Sequence, residues 1–222
     1  MPSRASFATG RYVHEFGTWD NAIAYDGSVP GWDHALQRSG HRVASIGKLH
    51  YRNPEDPTGF DQQYHPMHIY GGHGMVWGAL RDGVADFRER AYAMLQPIGP
   101  GISKYNIYDD RIASEAESWI SRAAREGSER PWVLFVGFIA PLFPLTVPKH
   151  ILHLYPLERM PQPRLHPKDG HARHPWLEAS HRIHPVDDGL DKDSRQLATA
   201  CYYGLCTWVD HQVVVPVACW RR

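Results

Sequence analysis

The chain has 222 residues, 42% of them hydrophobic and 12% aromatic, which is enough to bury the core of one sizeable domain and excludes a mostly disordered chain. Lys plus Arg and Asp plus Glu both total 24, so no global field draws the protein toward nucleic acid or a membrane surface. The longest apolar run, Trp132 to Ala140, is far shorter than the roughly 20 residues a spanning helix needs. The opening Met-Pro-Ser-Arg has no apolar signal core, so the chain as written is expected in the cytoplasm.

In chain order, Ser3 to Phe7 can start a short helix, and Pro30 to Ser39 reads as a second, closed by Gly40 as a left-handed cap. His41 to Ile46 supplies a strand, after which Gly47 turns the chain so that Lys48 and His50 stand just past the strand's C-terminal end. Tyr51 to Ser103 is rich in Gly, Pro and His without periodicity and is expected to be a long excursion over one end of the domain. From Asp109, residues Ile112, Ala116, Trp119, Ile120 and Ala123 recur at helical spacing, with Asp109 or Asp110 as the cap and Gly127 as the stop. Trp132 to Phe138 is unbroken in its apolarity, as in a parallel strand covered on both faces. Pro141 and Pro144 then break the chain, and Pro148 to Asp191 reads as loop. Leu197, Cys201, Leu205, Trp208 and Gln212 mark a last helix starting near Asp193 or Ser194.

Residues 213–222 fit neither a continued helix nor a strand, which divides the chain into a domain of 1–212 and an atypical tail. No internal repeat occurs. The order helix, strand, helix, strand, helix predicts an α/β fold with a mainly parallel sheet flanked by helices, in which sites gather at the C-terminal ends of strands.

Cys201 and Cys206, five apart on a helical pattern, suit neither a zinc knuckle nor a disulfide framework and are expected to be small core residues. Histidines cluster at His65, His68 and His73 and at His171, His174, His181 and His184. They lie among Pro and Gly with no Cys or carboxylate at zinc-motif spacing, so no dedicated metal site is expected there. Arg4, at a possible helix N-terminus, and Lys48 and His50, beyond a strand, would together suit an oxyanion, because such donors stabilise a sulfuryl or phosphoryl group as charge builds. On spacing alone, a solvated terminus and an ordinary loop would look the same.

Motifs add what spacing does not. Pro2-Ser3-Arg4, then four residues to Thr9-Gly10-Arg11, resembles the sulfatase signature Cys-x-Pro-x-Arg-(four residues)-Thr-Gly from its third position on. Gly47-Lys48-Leu49-His50, led in by Gly40-His41-Arg42-Val43, is similar to the family's Gly-Lys-x-His after a strand. Phe138 to Pro144 resembles the strand ending in Pro-His-x-Pro, with Leu142 where the family has a substrate-gripping His, and Tyr202-Tyr203-Gly204 and Val209 to Gln212 resemble a family helix. Three elements in the right order identify a sulfatase-type chain of the alkaline-phosphatase-like superfamily, nearest in look to choline-sulfatase and phosphonate monoester hydrolase-like members.

The resemblance implies a hydrolase in which a formylglycine, made from the signature cysteine, attacks the sulfur of a sulfate ester. Arg4 would steady that nucleophile, Lys48 would grip the sulfate oxygens, and His50 would serve the formylglycine. Calcium, the family's usual cation, is implied for a complete member as a Lewis acid, while the residues present supply none of the usual ligands. The cysteine position falls before Met1, so the chain is expected to be a part of a longer member, incomplete at both ends and inactive by itself. Leu142 can neither donate to sulfate nor protonate a leaving group. The expected partner is a small-molecule sulfate ester, without nucleic acid or membrane, and the sequence points to no oligomeric state. A phosphonate or phosphodiester hydrolase, and a non-catalytic relative that binds an anion or a protein, stay open beside the sulfatase reading.

Overall fold

A computed structural model describes residues 2–72, 74, 95–127, 130–162, 170–183, 185 and 189–218, with backbone alone at 219 and 220. His73, His184, the side chain of Cys219 and residues 75–94 of the excursion lie outside that set. The elements are α1 (Pro2–Thr9), α2 (Val13–Phe16), α3 (Trp32–Arg38), β1 (Arg42–Lys48), β2 (Gln62–Met67), β3 (Gly99–Pro100), α4 (Lys104–Glu126), β4 (Trp132–Gly137), β5 (Thr146–Val147), α5 (Lys149–Leu152), α6 (Pro175–Ile183) and α7 (Lys192–Trp220). The chain forms two compact units, Met1–Trp77 with Asp109–Ile139 and Val213–Arg222, and Gly78–Tyr108 with Ala140–Gln212.

The first unit is built on a parallel sheet of order β2-β1-β4. In β1, every residue from Val43 to Lys48 is buried. One face of the sheet meets α4, where Trp132 stacks edge-on to Trp119 at 4.9 Å and the Arg42 guanidinium lies 5.2 Å from the Trp119 ring centre. The other meets α1 and α3 through Phe135, whose ring centre is 6.3 Å from that of Phe7 and 6.1 Å from that of Trp32. A layer of helix on each face of a parallel sheet is the α/β architecture that the element order predicts.

Four expectations are corrected. The excursion contains β2, which pairs in parallel with β1 from Ala44↔Gln62 to Lys48↔Met67. Its polar composition and Pro66 hid it, and both are tolerated because the strand lies at the edge of the described sheet. Helix α4 begins at Lys104, with Ser103 as its cap: Asn106 N–H donates to Ser103 Oγ (3.2 Å) while Ser103 N–H donates to Asn106 Oδ1 (2.7 Å). Asp109 is therefore interior to the helix. The Pro148 to Asp191 stretch carries α5, α6 and a 3₁₀ turn at Leu157–Arg159. Finally, α7 continues through residues 213–220 in spite of Pro216, whose missing N–H costs one bond only a turn before the helix ends.

The second unit contains the short parallel pair β3–β5, with Gly99↔Thr146 and Pro100↔Val147 in register. Val147, Ile151, Cys201 and Leu205 form its buried cluster, so Cys201 is a core residue as expected. Among the described residues no helix is long and apolar enough to cross a membrane.

A candidate oxyanion site at the C-terminal end of strand β1

Helix α1 is short, and its small residues Ala5 and Ala8 are buried against Tyr25, Leu49 and Tyr51. Gly31 lets it settle closely on the start of α3, since a Cβ there would lie 2.6 Å from the Ala8 carbonyl oxygen. So seated, α1 carries Arg4 to the end of β1, where Arg4 Nη1 donates to the Lys48 carbonyl oxygen at 2.8 Å. That bond joins two of the three basic residues singled out in the sequence.

Lys48 is the last residue of β1 rather than the first beyond it, and between Ile46 and Lys48 the register with β2 shifts, the extra residue lying on β2. Gly47, at φ +89, is a position no side chain could fill: a Cβ there would lie 2.5 Å from the Gly137 carbonyl oxygen and 2.6 Å from Ile112 Cδ1. His50 follows at φ +61, a left-handed conformation uncommon for a residue with a side chain. Its N–H donates to the Met67 carbonyl at 2.7 Å, and its chain neighbours Leu49 and Tyr51 are buried.

Burial sets the electrostatics. Lys48 is 9% exposed, and desolvation, followed by the neighbouring Arg4 charge, lowers its ammonium to about 8, with Asp109 opposing the fall. Desolvation, then Lys48 and Arg4, pushes His50 down to about 4, so its imidazole is neutral at neutral pH. Burial also lowers Arg4, which nonetheless stays charged. Two cations and a neutral imidazole thus meet at one strand end, where Lys48 is buried and Arg4 and His50 are half-buried, an arrangement that gains when an anion enters.

Sequence reasoning passed over Asp109. It is fully buried on α4, and its Oδ1 accepts the Ile139 N–H at 2.8 Å, just beyond β4. The signal was present, since Asp109 lies on the same helical stripe as Ile112, Ala116 and Trp119, where an apolar residue is the rule. Leu142 belongs to the second unit and is 37% exposed. Among the described residues no three His, Cys, Asp or Glu side chains converge to hold a metal ion, so the calcium that the resemblance implies finds no ligand set in them.

The parallel α/β sheet with a basic, buried strand end is the fold class that the element order predicts. No family model matches the chain. It is 29% identical over 167 residues to the choline-sulfatase of Rhizobium meliloti (strain 1021), covering 69% of this chain and 31% of that protein. It is 23% identical to the arylsulfatase of Clostridium perfringens (strain 13 / Type A), over 96% of this chain and 47% of that one. In fold it is similar to the phosphonate monoester hydrolase of Agrobacterium radiobacter, with a TM-score of 0.60 and 18% identity over 99% of this chain and 50% of that one. The chain thus spans half or less of the length of these relatives. These likenesses support a sulfatase-type chain of the alkaline-phosphatase-like family.

Proposed function

We propose that the protein is a sulfate ester hydrolase in which Arg4, Lys48 and His50 bind and stabilise the sulfuryl group. The observation that carries this reading is the junction at the end of β1: Arg4 fixed to the Lys48 carbonyl, an ammonium 9% exposed, and His50 held neutral beside it. Lys48 donates to the non-bridging oxygens, and its charge offsets the negative charge they carry. Arg4 has donors left after Nη1 is used on Lys48, and these offer a second contact in a fixed orientation. His50, being neutral, holds a donor and an acceptor together and can pass a proton at an ester or alcohol oxygen. With Leu142 in place of the family His, no donor comes from that position.

Relatives named choline-sulfatase and arylsulfatase support a sulfate ester as the substrate class. A phosphonate monoester presents a similar tetrahedral anion, and the phosphonate hydrolase fold keeps it as the runner-up. Calcium is the cation proposed for a complete member.

Titration calorimetry of this chain with inorganic sulfate, and separately with methylphosphonate, tests the reading. Saturable sulfate binding, weakened at least about tenfold in Lys48→Ala by loss of a charge-assisted contact, is expected. Preferential binding of methylphosphonate would move the assignment to the runner-up. Heats of dilution alone would contradict both.

A further inference from the structure

We infer that the cleft between the end of α1 and the start of α3 is a second anion site, which takes a sulfonate, sulfate or carboxylate group carried on a flat ring. Two arginines and an exposed phenylalanine give the cleft that chemistry. Nothing in the inference depends on the reading of Lys48.

The cleft follows from how the two helices meet. At Gly31 a Cβ would lie 2.6 Å from the Ala8 carbonyl oxygen, so only the bare glycine lets the start of α3 come this close to the end of α1. The space left between them is a cavity of about 550 Å³, within the roughly 300–1,000 Å³ typical of sites for small organic ligands. Arg11 is placed on its wall by the way α1 ends. Gly10 turns left-handed at φ +66 while its N–H donates to the Ser6 carbonyl at 2.8 Å, and the Arg11 N–H then donates to Thr9 Oγ1 at 3.3 Å. Arg38 comes from α3, where it shares a helix face with Ala35, and both line the cavity.

Both arginines are exposed, and among the described residues neither forms an ion pair. No acidic residue lines the cavity, and Asp33, two residues beyond Gly31, is fully buried and outside the lining. The charged side chains of the wall are therefore both guanidinium groups, which offer several N–H donors in one plane and fit an oxyanion bidentately. The ring comes from Phe7. It is 66% exposed, with its centre 6.3 Å from that of Phe135. Trp32, also in the lining, is already packed edge-on to Phe60 at 5.8 Å and tilted to Phe135 at 6.1 Å, so Phe7 is the aromatic left to stack on a ligand. Unpaired cations beside an exposed ring gain most from one molecule that brings both a negative charge and a flat apolar face.

Titration calorimetry of the chain with naphthalene-2-sulfonate at low ionic strength tests this. Methanesulfonate supplies the anion without the ring, and naphthalene-2-methanol the ring without the anion. Saturable binding of naphthalene-2-sulfonate is expected, at least about tenfold tighter than that of either half-probe. Affinity should fall roughly three- to fivefold in Arg11→Gln and again in Arg38→Gln, with melting temperatures like the parent's because both positions are exposed. Phe7→Ala should weaken binding by a similar factor. A sulfonate can also enter at the end of β1, so Lys48→Ala is the control, and binding to the cleft should survive in it. No saturable binding, equal affinity for naphthalene-2-methanol, affinity unchanged in either arginine variant, or binding lost in Lys48→Ala would each overturn the inference.

Discussion

Strands β1 and β4 are parallel neighbours in register, with Val43 opposite Val133, Ser45 opposite Phe135 and Gly47 opposite Gly137, yet their sequences and surroundings are inverted. The more apolar strand, Trp-Val-Leu-Phe-Val-Gly, is half-buried along its length, whereas Arg-Val-Ala-Ser-Ile-Gly-Lys is buried from its second residue to its last. Both faces of β4 are covered, as its sequence suggested, but it lies at the edge of the described sheet. Position in the sheet decides burial, and β1 is central. Polar residues kept in the central strand are costly to bury, so their presence marks a place where something other than stability is served. Lys48 at the end of β1 is that case.

The comparison can be broken most severely at Gly47. Substituting alanine puts a Cβ against the Gly137 carbonyl and Ile112 in a left-handed conformation, and is expected to cost about 3 kcal/mol or more, read as loss of the unfolding transition's midpoint in urea. A variant that melts like the parent would show that β1 is not clamped between β4 and α4. Next comes the matched pair Val43→Ala and Val133→Ala. Removing the same two methyl groups should cost about 2 kcal/mol at fully buried Val43 and about 1 kcal/mol or less at half-buried Val133. Equal costs would contradict the assignment of β1 as central and β4 as edge.

A smaller effect, of the opposite sign, is expected at Lys48. Its folded value, about 8, lies below its ordinary 10.5, so the buried ammonium opposes folding below pH 8, and this opposition fades as pH rises from 8 to 10.5. Lys48→Met should therefore raise the melting temperature at pH 7 and lose that advantage by about pH 10.5. Destabilisation at pH 7 would mean the ammonium is stabilised in the fold without a ligand. His50 has the same direction of shift. Its folded value near 4, against 6.5, predicts stability lost as pH falls from 6.5 through 4, and His50→Gln should flatten that slope in acid melts.

What the sequence showed and hid follows the same physics. Strand β1, its glycine turn and the Lys48–His50 pair were legible because turn chemistry and motif coincide at one place. Strand β4 and the body of α4 were legible from apolar patterning alone. Strand β2 was not, since Gln62–Met67 pairs through its backbone at the edge of the described sheet and carries no hydrophobic signature. The first turn of α4 was hidden because Asp109 and Asp110 are more familiar caps than the Ser103–Asn106 box that holds it. The tail was misread because Pro216 and four β-branched valines argue against a helix that is already long enough to carry them. Asp109 was missed for a related reason: a carboxylate near a helix start is assumed to be a cap, whereas this one is buried and accepts the Ile139 amide.

The claim that β1 ends in an oxyanion site is tested most directly by acetylating the chain at pH 8 with and without sulfate, at matched ionic strength set by chloride, and reading each lysine by mass spectrometry. If Lys48 grips sulfate, its labelling slows severalfold in sulfate, while lysines elsewhere react at equal rates in both salts. Lys48 labelling that is indifferent to sulfate would contradict the account.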